Sequence, residues 1–260
     1  MTKFNKGIAV LGLGVGLFLM SAGFALGAGR VDNQGGCKFQ AGDLSAIEAI
    51  RNDPKLEYLD KIKIELKLRQ GILGKILNCA VQEANTLKSK LTATMVSDLD
   101  MINVRGKLVS QIDQAVVYYQ SQAVSLGDLG LWGTKNLAKK LAEWRAGNYA
   151  YLVTKAVDLM TWANSQQFIS LAEGRLGEIK KVVEEAKADD SKGNSLEIIK
   201  KAEASLSQAK EANQKAKTDI QDLSSSESNL DTIKNSLQAL AAVYENFFEL
   251  SEVMGKNVLQ

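Results

Sequence analysis

The chain contains no histidine, and among its 260 residues there are only two cysteines and one proline. Without imidazole there is no Ser-His-Asp triad, no histidine general base and no His-ligated metal, which removes much of hydrolase and zinc chemistry. Two thiols cannot build a four-thiolate zinc site. No P-loop, dinucleotide fingerprint or nucleophile elbow occurs, and Gly127, Gly130 and Gly133 follow no strand. Adjacent acids such as Glu184 and Glu185 point about 100° apart on a helix and do not converge on one substrate. These gaps lead us to expect no catalytic residue, cofactor or metal, and no enzyme.

Net charge is scarce as well. Of the 32 basic residues, Lys3 and Lys6 precede an uncharged apolar stretch, Ile8 to Met20, and then a run of mostly small residues, Ser21 to Ala28. That order is the pattern of a secretory signal peptide. Ala25-Leu26-Gly27 sets cleavage before Ala28, and Gly23-Phe24-Ala25 is a second usable site. Removing the two lysines leaves as many basic residues as the 30 acidic ones, so nothing global suits the phosphates of a nucleic acid. The rival reading of this segment is a retained anchor, because residues 7–28 are uncharged and about 20 such residues cross a bilayer. A lipoprotein is rejected, since Cys37 lies well past the apolar stretch and lacks the aliphatic residue a lipobox needs. The expected location is periplasmic, cell-surface or extracellular, or membrane-anchored through residues 7–28.

In an exported chain, Cys37 and Cys79 most simply form one disulfide. Asp53-Pro54 reads as N-cap and first residue of a long helix that carries Cys79. The box Ser45-x-x-Glu48 marks a short helix near residues 44–51 that folds back along it. The expected organisation is residues 1–27 as signal peptide, 28–53 as an N-terminal segment with a short stapled helix, and 54–260 as an elongated helical bundle.

With Pro54 as the sole proline and few alternating β-branched runs, the mature chain reads as nearly all helix. Apolar positions from Leu59 through Leu91, resuming from Leu99 through Ala123, step by threes and fours. They suggest one helix from Pro54 to about Val124, with a break near Ser97-Asp98 or Asn103 to Gly106 as the alternative. Gly127 to Thr134 is the clearest loop. A second helix, about Lys135 to Ala188, carries the heptads Trp162, Ser165, Ile169, Ala172, Leu176, Ile179 and Val183. A third register runs from Ile199 to Leu223, with Asn213 as a polar seam residue. After Ser224-Ser225-Ser226 the stripe returns out of phase from Leu230 onward, through a stammer or a turn. We therefore expect an all-α, elongated antiparallel bundle or coiled coil of three long helices, or four if the chain turns.

Function is sought where composition is biased. All three tryptophans fall between residues 132 and 162, and the stretch 131–157 holds Lys135, Lys139, Lys140, Arg145 and Lys155 against Glu143 alone. The candidate surface-binding residues are Trp132, Lys135, Lys139, Lys140, Trp144 and Arg145, on a basic aromatic helix suited to a membrane surface or an anionic envelope polymer. The alternative is that this stretch packs inside the molecule against the acidic residues 221–260. In general organisation the chain resembles exported bacterial coiled-coil proteins, which implies a structural or adhesive role in the envelope. Its partner would be a protein or an envelope polymer. Self-association and membrane contact through an uncleaved N-terminus are also compatible with the pattern, and nucleic acid is not expected. The competing reading is a membrane-active, pore-forming-like bundle, weakened because no mature segment is charge-free over about 18 residues.

Overall fold

The computed structural model describes residues 42–185, 192–224 and 227–258, and every regular element among them is helical. In chain order these are α1 (Gly42–Asn52), α2 (Tyr58–Ala93) and α3 (Leu99–Val124), then a 3₁₀ turn (Ser125–Asp128). They are followed by α4 (Leu131–Trp144), a π turn (Arg145–Tyr149), α5 (Ala150–Glu185), α6 (Lys192–Gln221) and α7 (Leu230–Val258). The all-α, antiparallel expectation holds, whereas the count of three or four long helices does not. Residues 1–27, expected as a signal peptide, the stretch 28–41 and Cys37 lie outside the described residues.

The segment expected as one helix from residue 54 to 124 reverses direction at Thr94. There the backbone turns extended (φ −68°, ψ 123°), and Asp98 starts α3 by accepting a hydrogen bond from the Met101 N–H at 3.1 Å. Such an aspartate N-cap satisfies one of the donors a helix start leaves open. The Arg105 guanidinium closes the corner on the Thr94 carbonyl at 2.7 Å. At the other end of the pair Gln70 Nε2 donates to the carbonyls of Leu126 and Leu129, and midway Lys88 meets Asp113 at 2.6 Å. α2 and α3 are thus an antiparallel hairpin.

Pro54 does not open the long helix. The Lys55 N–H donates to Asp53 Oδ1 at 2.9 Å, an Asx turn, and α2 begins only at Tyr58 behind Glu57. α1 covers the expected short helix but starts at Gly42, so Ser45 lies inside it instead of capping it. α1 runs back along α2, where Glu65 receives Arg51 and Arg69, each at 2.7 Å.

From Leu131 to Glu185 the chain is helical without interruption. Gly147-Asn148 produces no break but a π turn, in which the Ala150 N–H reaches the Arg145 carbonyl, a spacing of five. The first half of this rod packs with α2 and α3 around Leu77, Leu91, Met101, Leu108, Ile112, Tyr119 and Tyr149. The second half packs with α6 and α7 around Ile169, Ala172, Leu176, Ile198, Ala202, Ala209 and Val243. The stretch expected to continue from α6 into α7 turns back between Gln221 and Leu230, because Asp222 draws the Ser224 N–H and hydroxyl into a tight turn. α5 and α6 are antiparallel, fastened by Lys180 to Glu203 and by Lys210 to Glu173. α7 is antiparallel to α6 in turn, where Ser236 Oγ donates to the Ala209 carbonyl at 2.7 Å. α5 and α7 therefore run parallel.

Candidate functional site

α4 separates the six candidate surface residues into two groups. Thr134, Leu137, Leu141 and Trp144 follow one another by three or four residues and turn toward α2 and α3, with the first three buried. Trp132, Lys135 and Lys139 occupy the opposite stripe and face solvent, with Trp132 71% exposed. Lys140 lies to one side, also exposed. The Lys135 ammonium stands 5.7 Å from the Trp132 ring centroid, which props the indole up while leaving it open. Lys139 reaches Glu143 only at 3.7 Å with both side chains mostly in water, a pair worth little.

Trp144, half-buried, and Arg145, which stays part-exposed, are instead engaged by neighbouring side chains of the same molecule. The Trp144 ring stacks on Tyr118 with centroids 3.9 Å apart, and Tyr119 meets it edge-on at 5.2 Å. Arg145 binds Glu83 of α2 at 2.8 Å and lies 5.1 Å over the Tyr149 ring. Burial pushes the hydroxyls of Tyr118, Tyr119 and Tyr149 to higher pKa. Only the end of this stretch comes beside residues 221–260, where Tyr151 and Thr154 line a recess with Leu223 and Ser224. α4 meets α2, whereas α7 meets α6 and α5.

The sequence reading passed over a pair of charges at the junction of the two packings. Lys155 and Asp158, one turn apart on α5, are both fully buried. Asp158 accepts from the Asn229 N–H at 2.8 Å and from Ser228 Oγ at 3.1 Å, which makes it the cap of α7 delivered from another helix. The Lys155 ammonium donates to the Asp219 carbonyl at 3.3 Å, near the C-terminal end of α6. Burial raises the Asp158 carboxyl above its ordinary value, opposed by those donors and by Lys155. Beside it, Lys217 reaches from α6 to Asp98 and Asp100 at 2.6 and 3.3 Å and holds the Asp98 carboxyl low. Charges inside an otherwise apolar stripe were the signal available for this cluster.

Other outward features are apolar. Phe168 and Leu171 on α5 and Leu237 and Phe248 on α7 are exposed although each lies beside a heptad position. On α2, Ile64, Leu68, Gly71 and Ile72 line a groove of 340 Å³, and half-buried Cys79 lies two turns further along the same stripe. Among the described residues no group of histidine, cysteine, aspartate and glutamate could hold a metal ion, and no helix is long and apolar enough to cross a membrane. No family model, curated protein or solved structure matches the chain.

Proposed function

We propose that this is an exported structural protein of the bacterial envelope or surface, non-enzymatic, which works by presenting helix faces to a partner. The observation that carries the reading is where its uncommitted chemistry lies. Buried polar side chains such as Asp158, Lys155, Asn213 and Ser236 are bonded to neighbouring helices, while Trp132, Lys135, Lys139 and Lys140 stand outward on one helix. Basic and aromatic side chains so placed suit an anionic partner. Residues 1–27 supply the export signal in this reading, or an anchor if they are retained. A Cys37–Cys79 disulfide then ties the N-terminal segment to α2, since α1 already runs back along α2 toward the stripe that carries Cys79. Fractionation of the producing cell with N-terminal sequencing should place the chain in the envelope or medium, beginning at Ala28 if cleaved. Recovery only from the cytoplasm overturns it.

Exposed Val124 and Trp132, on either side of the turn at residues 125–130, favour a second, membrane-active reading. Dye release from anionic liposomes separates the two, because absence of leakage removes the second without touching the first.

A further inference from the structure

Three segments meet α2 at one height. Gln70 donates to the carbonyls of Leu126, Gly127 and Leu129, and a Cβ on Gly74 would touch Leu126, so the turn that ends α3 and starts α4 lies across residues 70–74. Trp132 is the second residue of α4 and shares that height. α1 arrives from the opposite direction. Its Arg51 meets Glu65, and Gly42 lies nine residues earlier, which in an antiparallel pair is about 14 Å further along α2. That distance again reaches residues 70–74. The described chain therefore begins at the height of Trp132.

Val124 and Trp132 are 85% and 71% exposed at this height. What precedes Gly42 is a short connection. Residues 29–41 span at most about 45 Å even when extended, and residues 7–28 before them are uncharged and long enough to cross a bilayer. An anchor there keeps α4 in the neighbourhood of a lipid surface.

The outward stripe of α4 suits the headgroup zone of such a surface. Trp132, Lys135 and Lys139 follow one another over about 10 Å, and indoles collect where hydrocarbon meets headgroup while lysines extend past them toward the phosphates. Net charge does not select this partner, because exposed Lys135, Lys139 and Lys140 are offset by Glu143 and Asp128. The tether does. A face held beside a surface experiences an effective concentration on the order of 1 mM, so a contact too weak to retain a free protein stays made. The contact is interfacial, since no described helix is long and apolar enough to cross the membrane. We propose that α4 lies flat on the lipid surface that holds residues 7–28, with the Trp132 indole seated among the headgroups. This rests on the anchored form of the envelope reading, and it names the partner of the Trp132 stripe.

The test uses the full-length chain reconstituted in phosphatidylcholine vesicles containing phosphatidylglycerol. A carbonate wash reports whether residues 7–28 hold it there. Trp132 is the exposed one of the three tryptophans, so the difference between wild type and Trp132→Phe isolates its emission. Phe248→Trp in that background supplies an exposed indole on α7 for reference. The expected result is quenching of Trp132 by brominated acyl chains, with iodide access at least about 3-fold below that of the reference, because a contact tethered at that concentration is mostly made. Lys135→Glu combined with Lys139→Glu should weaken docking at least about 10-fold and reopen Trp132 to iodide. All these positions are exposed, and circular dichroism verifies that the variants fold. If the chain survives the wash with Trp132 as open to iodide as the reference, the proposal falls and the anchor stands. Protection that persists in the Lys135→Glu/Lys139→Glu chain also overturns it, because α4 then does not lie along the headgroups. So does protection that appears only at high protein density in the vesicle, which makes a second copy the occupant. Release by carbonate, or recovery from cells of a chain that begins at Ala28, removes the anchor and this proposal together and leaves the envelope reading standing.

Discussion

The two packings that share the α4–α5 rod are held together by different means. The first is built from large side chains, Leu77, Leu91, Met101, Leu108, Tyr119 and Tyr149, and shape does the selecting. Its buried polar atoms are poorly matched, for the hydroxyls of Tyr118 and Tyr149 and Gln111 Oε1 have no hydrogen-bond partner among the described residues. The second packs Ile169, Leu176, Ile198, Leu206, Leu240 and Leu250 together with Ala172, Ala202 and Ala209. Its buried polar groups are paired across helices. Asn213 donates to Ser165 Oγ and accepts from Gln166, Trp162 Nε1 donates to the Asn213 carbonyl at 3.1 Å, and Ser236 reaches Ala209. These polar pairs across helices help to fix the register of the second packing. The first obtains register from interlocking shapes and tolerates polar atoms left without partners.

The largest expected effect lies at the junction. Asp158→Ala removes the cap of α7 and strands Lys155 in the interior, and breaking such a buried charge cluster costs about 4 kcal/mol. Chemical denaturation should show the loss. Hydrogen exchange should show it fall mainly on α7, with α2 and α3 keeping their protection. Uniform loss of protection across both packings would mean that they do not open separately.

How much of this was legible in the sequence follows the same division. The α5 and α6 heptads were readable residue by residue, since Trp162 through Val183 and Ile199 through Ile220 carry an unbroken period and both lie on the core. On α7 an apolar count from Leu230 runs through Leu237 and Tyr244, one position off the core. The buried positions are Ser236 and Val243, and a serine in the core is invisible to a count of apolar residues. On α2 the same period reaches exposed Ile76 beside the buried Leu77. The reversals at Thr94 and Asp222 were missed or left open because neither contains glycine or proline. Each is made by an aspartate whose role as cap or turn anchor depends on tertiary approach. Of the candidate surface residues, Trp132, Lys135, Lys139 and Lys140 are exposed without neighbours from other described helices, while Trp144 and Arg145 engage Tyr118, Tyr119 and Glu83. The π turn rotates Arg145 onto Glu83 and Tyr149, a change that no fixed helical period anticipates.

Next in size is the polar seam of the second packing. Asn213→Leu removes the partner of both Ser165 and Gln166 and forces a larger group between closely spaced helices. The expected destabilisation is about 2 kcal/mol by urea denaturation. If instead Asn213→Leu raises stability, register there is set by apolar packing and the contrast between the two packings fails.

The response to pH sharpens the contrast at a smaller scale. Glu65 is held low first by the hydrogen bond from Arg51, and Asp98 first by that from Lys217. A lowered folded pKa gives stability that is complete above the ordinary values of 4.5 and 3.8 and is lost as pH falls through the folded ones. Asp158 has the opposite sign. Its raised pKa favours the folded, protonated form, so acidification from neutral toward 3.8 gains stability at that site. Melting temperature against pH should therefore fall more steeply in Asp158→Asn than in wild type on approaching pH 4, and less steeply below it in Asp98→Asn. Identical slopes in all three chains would remove Asp158 and Asp98 as the groups that set acid stability.

The smallest effect has a reversed sign and probes the comparison most directly. Tyr149 is fully buried, its ring held between Tyr119 at 6.0 Å and Arg145, yet its hydroxyl has no partner. Replacing a buried donor that bonds to nothing by hydrogen removes a desolvation cost and leaves the ring contacts in place. Tyr149→Phe should therefore stabilise the chain by up to about 1 kcal/mol, where an ordinary buried tyrosine would lose stability on the same change. Thermal denaturation of Tyr149→Phe alongside Asn213→Leu then reads the two packings against each other. Opposite signs mean that the first is specified by shape and the second by paired polar groups. A loss in both would show that an ordered water completes the Tyr149 hydroxyl, and the first packing would then be as dependent on hydrogen bonds as the second.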